Sequence, residues 1–587
     1  MTNTFEIKDD FYLNKKPFKI IAGGMHYFRT MKDSWKDRLI KLKAMGCNTV
    51  ETYVPWNMHE AKKGVYAFNG NLDIKAFIEL AQSLELFVIV RPSPYICAEW
   101  EFGGLPAWLL KDPGMKVRTV YKPFMKHVKE YFEVLFKILA PLQIDQDGPI
   151  ILMQIENEYG YYGNDKEYLS TLLKIMRDFG TTVPVVTSDG PWGEALDAGS
   201  LLADVSLPTM NFGTGAKEHI ENFKEKYVNK PVMCMEFWVG WFDAWGDDRH
   251  HTRDASDAAN ELRDILNEGS VNIYMFHGGT NFGFMNGAND LEELKPDVTS
   301  YDYDAILTEC GDLTEKYYEF KKVISEFTEI KEVELLPQTH KIAYGRVAVL
   351  DKVSLFNTLE TLSSPVKHNY PLSMEELNQN YGYILYRSDL GDARRVEKMY
   401  LLEANDRAQI FVNNNHIATQ YDQEIGQHLS VDLEQEKSNR IDILIENMGR
   451  ANFGPKLNAQ RKGLKGGLVI DNHGHYNWEH YNLELDDINK VDFSREYEDH
   501  LPAFYKFELE IECMGDTFID MTGFGKGVVF INNVNIGRYW EVGPQTKLYV
   551  PESLLKKGKN TIIVFETEGK SKNEIYFSDR PGLDKQK

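Results

Sequence analysis

The sequence lacks long apolar runs. Nowhere in its 587 residues does an uninterrupted hydrophobic stretch approach the roughly 18 residues of a membrane-spanning helix. The opening MTNTFEIKDDFYLNKK has no apolar core behind a basic start, so neither a membrane segment nor an export signal is expected. Cysteine is scarce: the five, at 47, 97, 234, 310 and 513, are odd in number, widely spaced and without a CxxC pair. That pattern argues against a disulfide framework or a zinc site and fits reduced, buried thiols in a cytoplasmic protein. Basic charge is in deficit. Lys and Arg number 66 against 89 Asp and Glu, a net −23 that repels phosphate backbones and anionic membrane surfaces and makes nucleic acid a poor partner. No GxGxxG turn follows the first β-rich run, and no HExxH or EF-hand spacing occurs, so neither a dinucleotide nor a metal is required.

What is present is an ordinary globular mix, 43% hydrophobic and 26% charged, in a chain long enough for more than one core. From 18 to about 282, short apolar runs alternate with amphipathic helical stretches. Eight strands read as 18–27, 47–54, 86–92, 149–159, 183–189, 207–212, 231–238 and 271–279. Helical patterns between them include 34–45, opening on an Asp33/Ser34 cap, and 72–84, 124–139 and 253–267. Eight βα units predict a (β/α)8 TIM barrel over residues 1–330; a doubly wound open sheet is the alternative, disfavoured by the missing glycine-rich turn. After Glu329 the texture is all β. DRAQIFVNNNHI (406–417) recurs as GKGVVFINNVNI (525–536), with Asn413 and Asn532 in register 119 residues apart. Two tandem β-sandwiches are expected at 371–485 and 486–587, joined to the barrel by a linker at 331–370 whose strands pack on them.

In a TIM barrel the chemistry sits at the C-terminal strand ends. Here those ends read HYFR, ETYVPWNMHE, RPSPYICAEWEFGG, QIENEYG, EFWVGW and MFHGGTNFG, carboxylates mixed with aromatics and amides. Aromatic faces suit the C–H surface of a sugar, and acids and amides its hydroxyls. Glycoside hydrolysis needs two flanking carboxyl groups, one protonated and one ionised. Glu236 ends an apolar run, PVMCM, where an acid is hard to explain by packing. Glu156 and Glu158 alternate around Asn157, and a period of two would send both to one side, so one of them would only orient the other.

Residues 20–310 resemble the glycoside hydrolase family 35 β-galactosidases through TVETYVPWNMHE, RPSPYICAEWEFGGLPAWLL, QIENEYG, EFWVGWFDAWG, YMFHGGTNFGFMNGA and TSYDYDA. They are similar in particular to a bacterial intracellular β-1,3-galactosidase-like subgroup. The tandem β-domains belong to the family's architecture too, and the resemblance implies that they are jelly-roll, galactose-binding-like sandwiches. The resemblance implies Glu158 as acid/base and Glu236 as nucleophile of a retaining exo-β-galactosidase, with galactose contacts at Tyr53, Cys97, Ala98, Glu99, Asn157, Tyr274 and Tyr303. Asn157 would donate to the sugar 2-hydroxyl and Tyr303 would hydrogen bond the nucleophile. Cys97 would be a small wall, since no activating base adjoins it in sequence. Trp238, where animal members carry Tyr, and Trp241 would stack on the leaving sugar, with Phe453 reaching the rim from GRANFGPK (449–456). The implied substrates are galactose-terminated oligosaccharides or glycans, with β1,3 linkage to N-acetylhexosamines preferred. No cofactor or metal, no nucleic acid and no membrane partner is expected, and a homodimer is the oligomeric option. Another clan member, a β-glucosidase or β-mannosidase, and a non-catalytic galactose-binding protein are the alternatives.

Overall fold

The computed structural model describes residues 3–584 except 93, 203–204, 331–335 and 337. Eight parallel strands close into a barrel: β1 (Ile21–Met25), β2 (Thr49–Tyr53), β3 (Phe87–Arg91), β4 (Ile150–Gln154), β5 (Val185–Asp189), β6 (Leu207–Phe212), β7 (Met233–Trp238) and β8 (Ser270–His277). β8 pairs back onto β1. Helices cover one face of these strands and barrel side chains the other, so nearly every strand residue is buried and the strands read as continuous apolar runs. The helix Lys122–Leu139 buries Phe124, Val128, Tyr131, Phe132, Leu135, Phe136 and Leu139, a stripe of helical period facing the barrel. At Trp35–Met45 the expected Ser34 side-chain cap is not made, because Ser34 lies in a tight turn of its own with αR backbone. No helix among the described residues is long and apolar enough to cross a membrane.

Two β-sandwiches come after the barrel. In the first, the sheet ordered Val366–His368, Trp478–Leu483, Tyr383–Asp389, Arg440–Glu446, Arg407–Val412, Asn415–Tyr421 packs on a four-stranded sheet through Ile384, Tyr386, Met399, Leu401 and Leu468. The sequence repeat is a structural one. Tyr383–Asp389, Arg440–Glu446 and the hairpin 407–421 are ordered as are Ala503–Ile511, Gly558–Glu566 and the hairpin 526–540. Each hairpin turns on two asparagines with positive φ, Asn413 and Asn414 (50°, 67°) and Asn532 and Asn533 (46°, 72°), the type I′ geometry that matches strand twist and that asparagine tolerates. Residues 331–370 do more than link. Gly345–Ser354 is a strand of the second sandwich, its first half paired with Glu574–Ser578 and its second half with Ala503–Ile511, so that one strand joins both sheets. The start of that segment, 331–335 and 337, lies outside the described residues.

Buried cations tie the β-domains to the barrel. Arg538 donates to Asn286 Oδ1 at 2.8 Å, Glu446 Oε1 at 2.7 Å and the Asn447 carbonyl at 2.6 Å, joining all three domains. Arg450 reaches Glu101 at 2.6 Å and Glu375 at 2.5 Å. A short strand of the first sandwich, Ala451–Phe453, pairs in parallel with Ala288–Asp290 of the barrel's last loop and so stands at the barrel mouth.

Candidate active site

A cavity of about 290 Å³ opens at the C-terminal ends of the barrel strands, a volume at the small end of ligand sites and suited to about one sugar ring with its neighbour at the rim. Cys97, Ala98, Glu99, Asn157, Glu158, Glu236, Trp238, Trp241, Tyr274, Tyr303 and Phe453 line it, with Tyr161, Phe242, Asn289 and Leu291. Tyr53, the remaining sequence candidate, hydrogen bonds Glu236 from outside the lining.

Glu236 is held by three donors. Tyr53 O–H donates to its Oε1 at 2.6 Å, Arg91 Nη2 pairs with the same oxygen at 2.7 Å, and Trp238 Nε1 donates to Oε2 at 3.0 Å. This corrects the role expected of Tyr303. Its ring packs against Tyr274, Tyr301 and Trp241, and the hydrogen bonds to Glu236 come instead from the ends of β2, β3 and β7. Arg91 is the hub that sequence reasoning missed: its Nε donates to Gln154 Oε1 at 2.8 Å, its Nη2 to Asn157 Oδ1 at 2.7 Å, and its Nη1 lies 3.5 Å from Glu51. The available signal was a cation ending an apolar strand, LFVIVR, which packing explains no better than it explains Glu236.

Asn157 receives Arg91 and Gln154 on Oδ1, the latter at 3.1 Å. Both are obligate donors at those atoms, so the amide is fixed and its NH2 is left to donate into the cavity.

Glu156 and Glu158 part company. β4 ends at Gln154, and both glutamates take left-handed backbone, φ 57° and 46°, so the period of two that would put them on one side does not hold. Glu156 is buried against Arg118, which donates at 2.9 and 2.8 Å, and Tyr168 at 3.1 Å; it braces the loop. Glu158 faces the cavity. Asn211 Nδ2 donates to its Oε1 at 3.0 Å, and Oε2 has no hydrogen bond to a described residue. Burial, then the negative charge of Glu236, pushes its pKa up to about 8 against the opposing pull of Asn211 and Arg91. Two carboxyl groups in one cavity thus have opposite surroundings, one cation-paired and one kept neutral at pH 7.

Cys97, Ala98 and Glu99 have φ of 54°, 56° and 47°, a left-handed turn that costs roughly 1–2 kcal/mol per residue. Arg29 holds the Ala98 carbonyl, Gly287 N–H donates to the Glu99 carbonyl at 2.9 Å, and Asn452 from the first sandwich reaches Cys97 Sγ at 3.5 Å. The turn brings Glu99 into the cavity, where Tyr301 hydrogen bonds it; burial raises its pKa to about 7 against that bond and Arg29. Burial, with Glu99 and Glu158 nearby, also raises the Cys97 thiol far above neutrality, which disfavours a thiolate there.

The rim is aromatic. Trp238 stacks on Trp192 at 5.9 Å and meets Trp241 edge-on at 5.5 Å, while Phe453 meets Tyr161 at 6.3 Å. Trp192 was not among the sequence candidates. With one face covered and its N–H on Glu236, Trp238 is more a support for that carboxylate than the free platform expected; Trp241, 41% exposed, has that character. The His/Asp grouping of Asp243, Asp247 and His251 lies outside the cavity lining, with Asp243 already accepting from His250 at 2.6 Å and His251 at 2.8 Å.

Comparison with known proteins agrees with this geometry. The description "Glycosyl hydrolases family 35" matches residues 10–327, "Beta-galactosidase, first all-beta domain" residues 371–484, and "Beta-galactosidase, galactose-binding domain" residues 502–560. Similar full-length proteins include human Beta-galactosidase-1-like protein 2, 40% identical over 98% of this chain and 91% of the human protein. Dictyostelium discoideum Beta-galactosidase 1 is 38% identical over 99% of this chain and 95% of its own, and Bos taurus Beta-galactosidase 37% over 98% and 94%. With a closed barrel carrying two carboxyl groups at its mouth, two β-sandwiches behind it, and likeness along its whole length, the chain belongs to glycosyl hydrolase family 35.

Proposed function

We propose that this enzyme is an exo-β-galactosidase that releases terminal, non-reducing β-D-galactose with retention, by double displacement. One observation supports the reading above the others: Glu236 and Glu158 share a cavity, the first clamped by Arg91, Tyr53 and Trp238, the second pushed up to about 8. Glu236 attacks the anomeric carbon while Glu158 gives its proton to the departing oxygen. Glu158, now ionised, then takes a proton from the water that hydrolyses the galactosyl-enzyme. The Asn157 NH2 is the donor for the 2-hydroxyl. Glu99, Tyr274 and Tyr303 supply polar and aromatic contacts to the rest of the ring.

Linkage preference is assigned to the rim. An acceptor sugar leaving past Glu158 meets Trp241 and Phe453, and flat rings there favour some angles between the two sugars; we take β1,3-linked N-acetylhexosamines as the preferred acceptors, as the resemblance to bacterial members with Trp at the Trp238 position implies. Five free cysteines, four of them buried, support a reducing, cytoplasmic setting. The test is a panel of nitrophenyl β-galactoside, β-glucoside and α-galactoside, followed by galactosyl-β1,3-N-acetylglucosamine against lactose. Turnover of the β-galactoside alone, and faster cleavage of the β1,3 disaccharide, are expected. Preferred cleavage of the β-glucoside would refute the galactosidase reading, and equal rates on both disaccharides the linkage preference.

A further inference from the structure

We propose that Ser188 and Asn211 are positioning residues that keep the acid proton of Glu158 on Oε2, the oxygen from which it must be delivered; this rests on Glu158 being the acid/base. Ser188 and Asn211 come from the neighbouring strands β5 and β6, and both are buried. Ser188 Oγ lies 2.5 Å from Asn211 Oδ1, and Asn211 Nδ2 lies 3.0 Å from Glu158 Oε1. The Glu158 backbone N–H donates to the Ser188 carbonyl at 2.9 Å, so the acid/base and its relay are tied to one strand end.

A carboxylic acid has one carbonyl oxygen and one hydroxyl oxygen. An amide N–H aimed at Oε1 makes that oxygen the carbonyl and leaves the hydroxyl at Oε2. With the amide turned over, Asn211 Oδ1 would face Oε1 and accept the acid proton there, away from the leaving group, while Ser188 accepted from Nδ2. In the arrangement found, Ser188 O–H donates to Oδ1 and Nδ2 faces Oε1, which makes Oε1 the carbonyl oxygen of the acid. That arrangement also serves both half-reactions. In the first, the Oε2–H bond breaks as a bond forms from that proton to the glycosidic oxygen, the bond from the anomeric carbon to that oxygen breaks, and the bond to Glu236 forms. In the second, a water proton returns to Oε2 while the water oxygen replaces Glu236 at the anomeric carbon. Between them Glu158 is a carboxylate that can only accept, so the same amide orientation is retained without a flip.

The test measures kcat/KM, which reports the first half-reaction, across β-galactosides of falling leaving-group ability in the full-length enzyme. Asn211→Ala should lose about 10²-fold on lactose or alkyl galactosides, which need the acid, and under about 3-fold on the dinitrophenyl galactoside, which leaves unaided. Its basic limb should move to higher pH, because a donor to the carboxylate is gone while Glu236, Glu99, Asp189 and Arg91 still face Glu158. Ser188→Ala should change both readouts in the same direction by a smaller factor, and Ser188→Thr, which keeps the hydroxyl, should restore them. Equal losses on all substrates with an unmoved limb, alongside a Glu158→Ala variant that is steeply leaving-group dependent, would overturn the positioning role alone. A Glu158→Ala variant without that dependence would overturn the acid assignment and the proposal with it.

Discussion

One guanidinium nitrogen, Arg91 Nη2, lies 2.7 Å from Glu236 Oε1 and 2.7 Å from Asn157 Oδ1. The contact couples the proposed nucleophile to the amide proposed to meet the sugar 2-hydroxyl, so both are set by one buried cation. The same guanidinium lies 3.9 Å from the Tyr53 ring centroid, whose hydroxyl is the nucleophile's other close donor. Arg91→Met should therefore abolish measurable turnover. It leaves Glu236 without its cation in a buried site, a loss of about 3–5 kcal/mol by analogy with other broken buried pairs. Denaturant unfolding and kcat/KM check the two effects; a stable, active Arg91→Met enzyme would show that the pair is dispensable.

The pH dependence is set by Glu158. As the proposed acid of the first half-reaction, it has its pKa raised to about 8 by burial and by Glu236. Activity that requires the neutral form is complete well below that value and lost as pH rises through it, so kcat/KM for a poor leaving group should fall with a midpoint near 8. A profile from about pH 5 to about pH 10 measures this. A basic limb lying below about pH 6 would contradict the assignment.

Trp238 and Trp241 should separate on substitution. The Trp238 indole N–H is one of three donors to Glu236, at 3.0 Å, and a hydrogen bond to a charged group is worth about 1.5–3 kcal/mol. Trp238→Ala should therefore lower kcat/KM by about 10- to 100-fold on nitrophenyl galactoside and disaccharides alike. Trp241→Ala, which removes no such bond, should spare nitrophenyl galactoside and narrow the gap between β1,3 and β1,4 disaccharides. Loss of the same size on every substrate for Trp241→Ala would refute its acceptor role.

These two tryptophans also mark where the sequence stops being informative. The eight barrel strands are legible because burial on both faces leaves continuous apolar runs, and the sandwich repeat because each hairpin needs two residues that accept positive φ, Asn413-Asn414 and Asn532-Asn533. Which side chain points where is another matter. Glu156 and Glu158 diverge because each takes left-handed backbone beyond Gln154, a local choice that residue type does not announce. The partners of Glu236 lie 183 residues away at Tyr53 and on a third strand at Arg91, so the donor expected of Tyr303 could be corrected only once the strands were placed. Phe453 reaches the cavity for a similar reason, through a strand pairing between two domains.

That pairing, with the buried cations beside it, predicts a barrel that depends on the β-sandwiches. Deleting residues 340–587 removes Ala451–Phe453 from beside Ala288–Asp290, Arg450 from Glu101, and Arg538 from Asn286. It also exposes apolar barrel surface and leaves Glu101 buried without its cation. The remaining fragment 1–339 should be insoluble or inactive on nitrophenyl galactoside. A soluble, fully active fragment would show that the sandwiches are independent modules.

The central claim is a covalent intermediate on Glu236. Incubation with a 2-fluoro-galactoside bearing a good leaving group, then peptide mapping by mass spectrometry, tests it most directly. Fluorine at the 2-position slows both half-reactions, and the good leaving group restores only the first, so the galactosyl-enzyme accumulates. The account predicts one added fluorogalactosyl group, carried by the peptide that contains Glu236. A label on a peptide containing Glu158, Glu156 or Glu99 instead, or an enzyme that turns the reagent over with inversion and is never labelled, would contradict it.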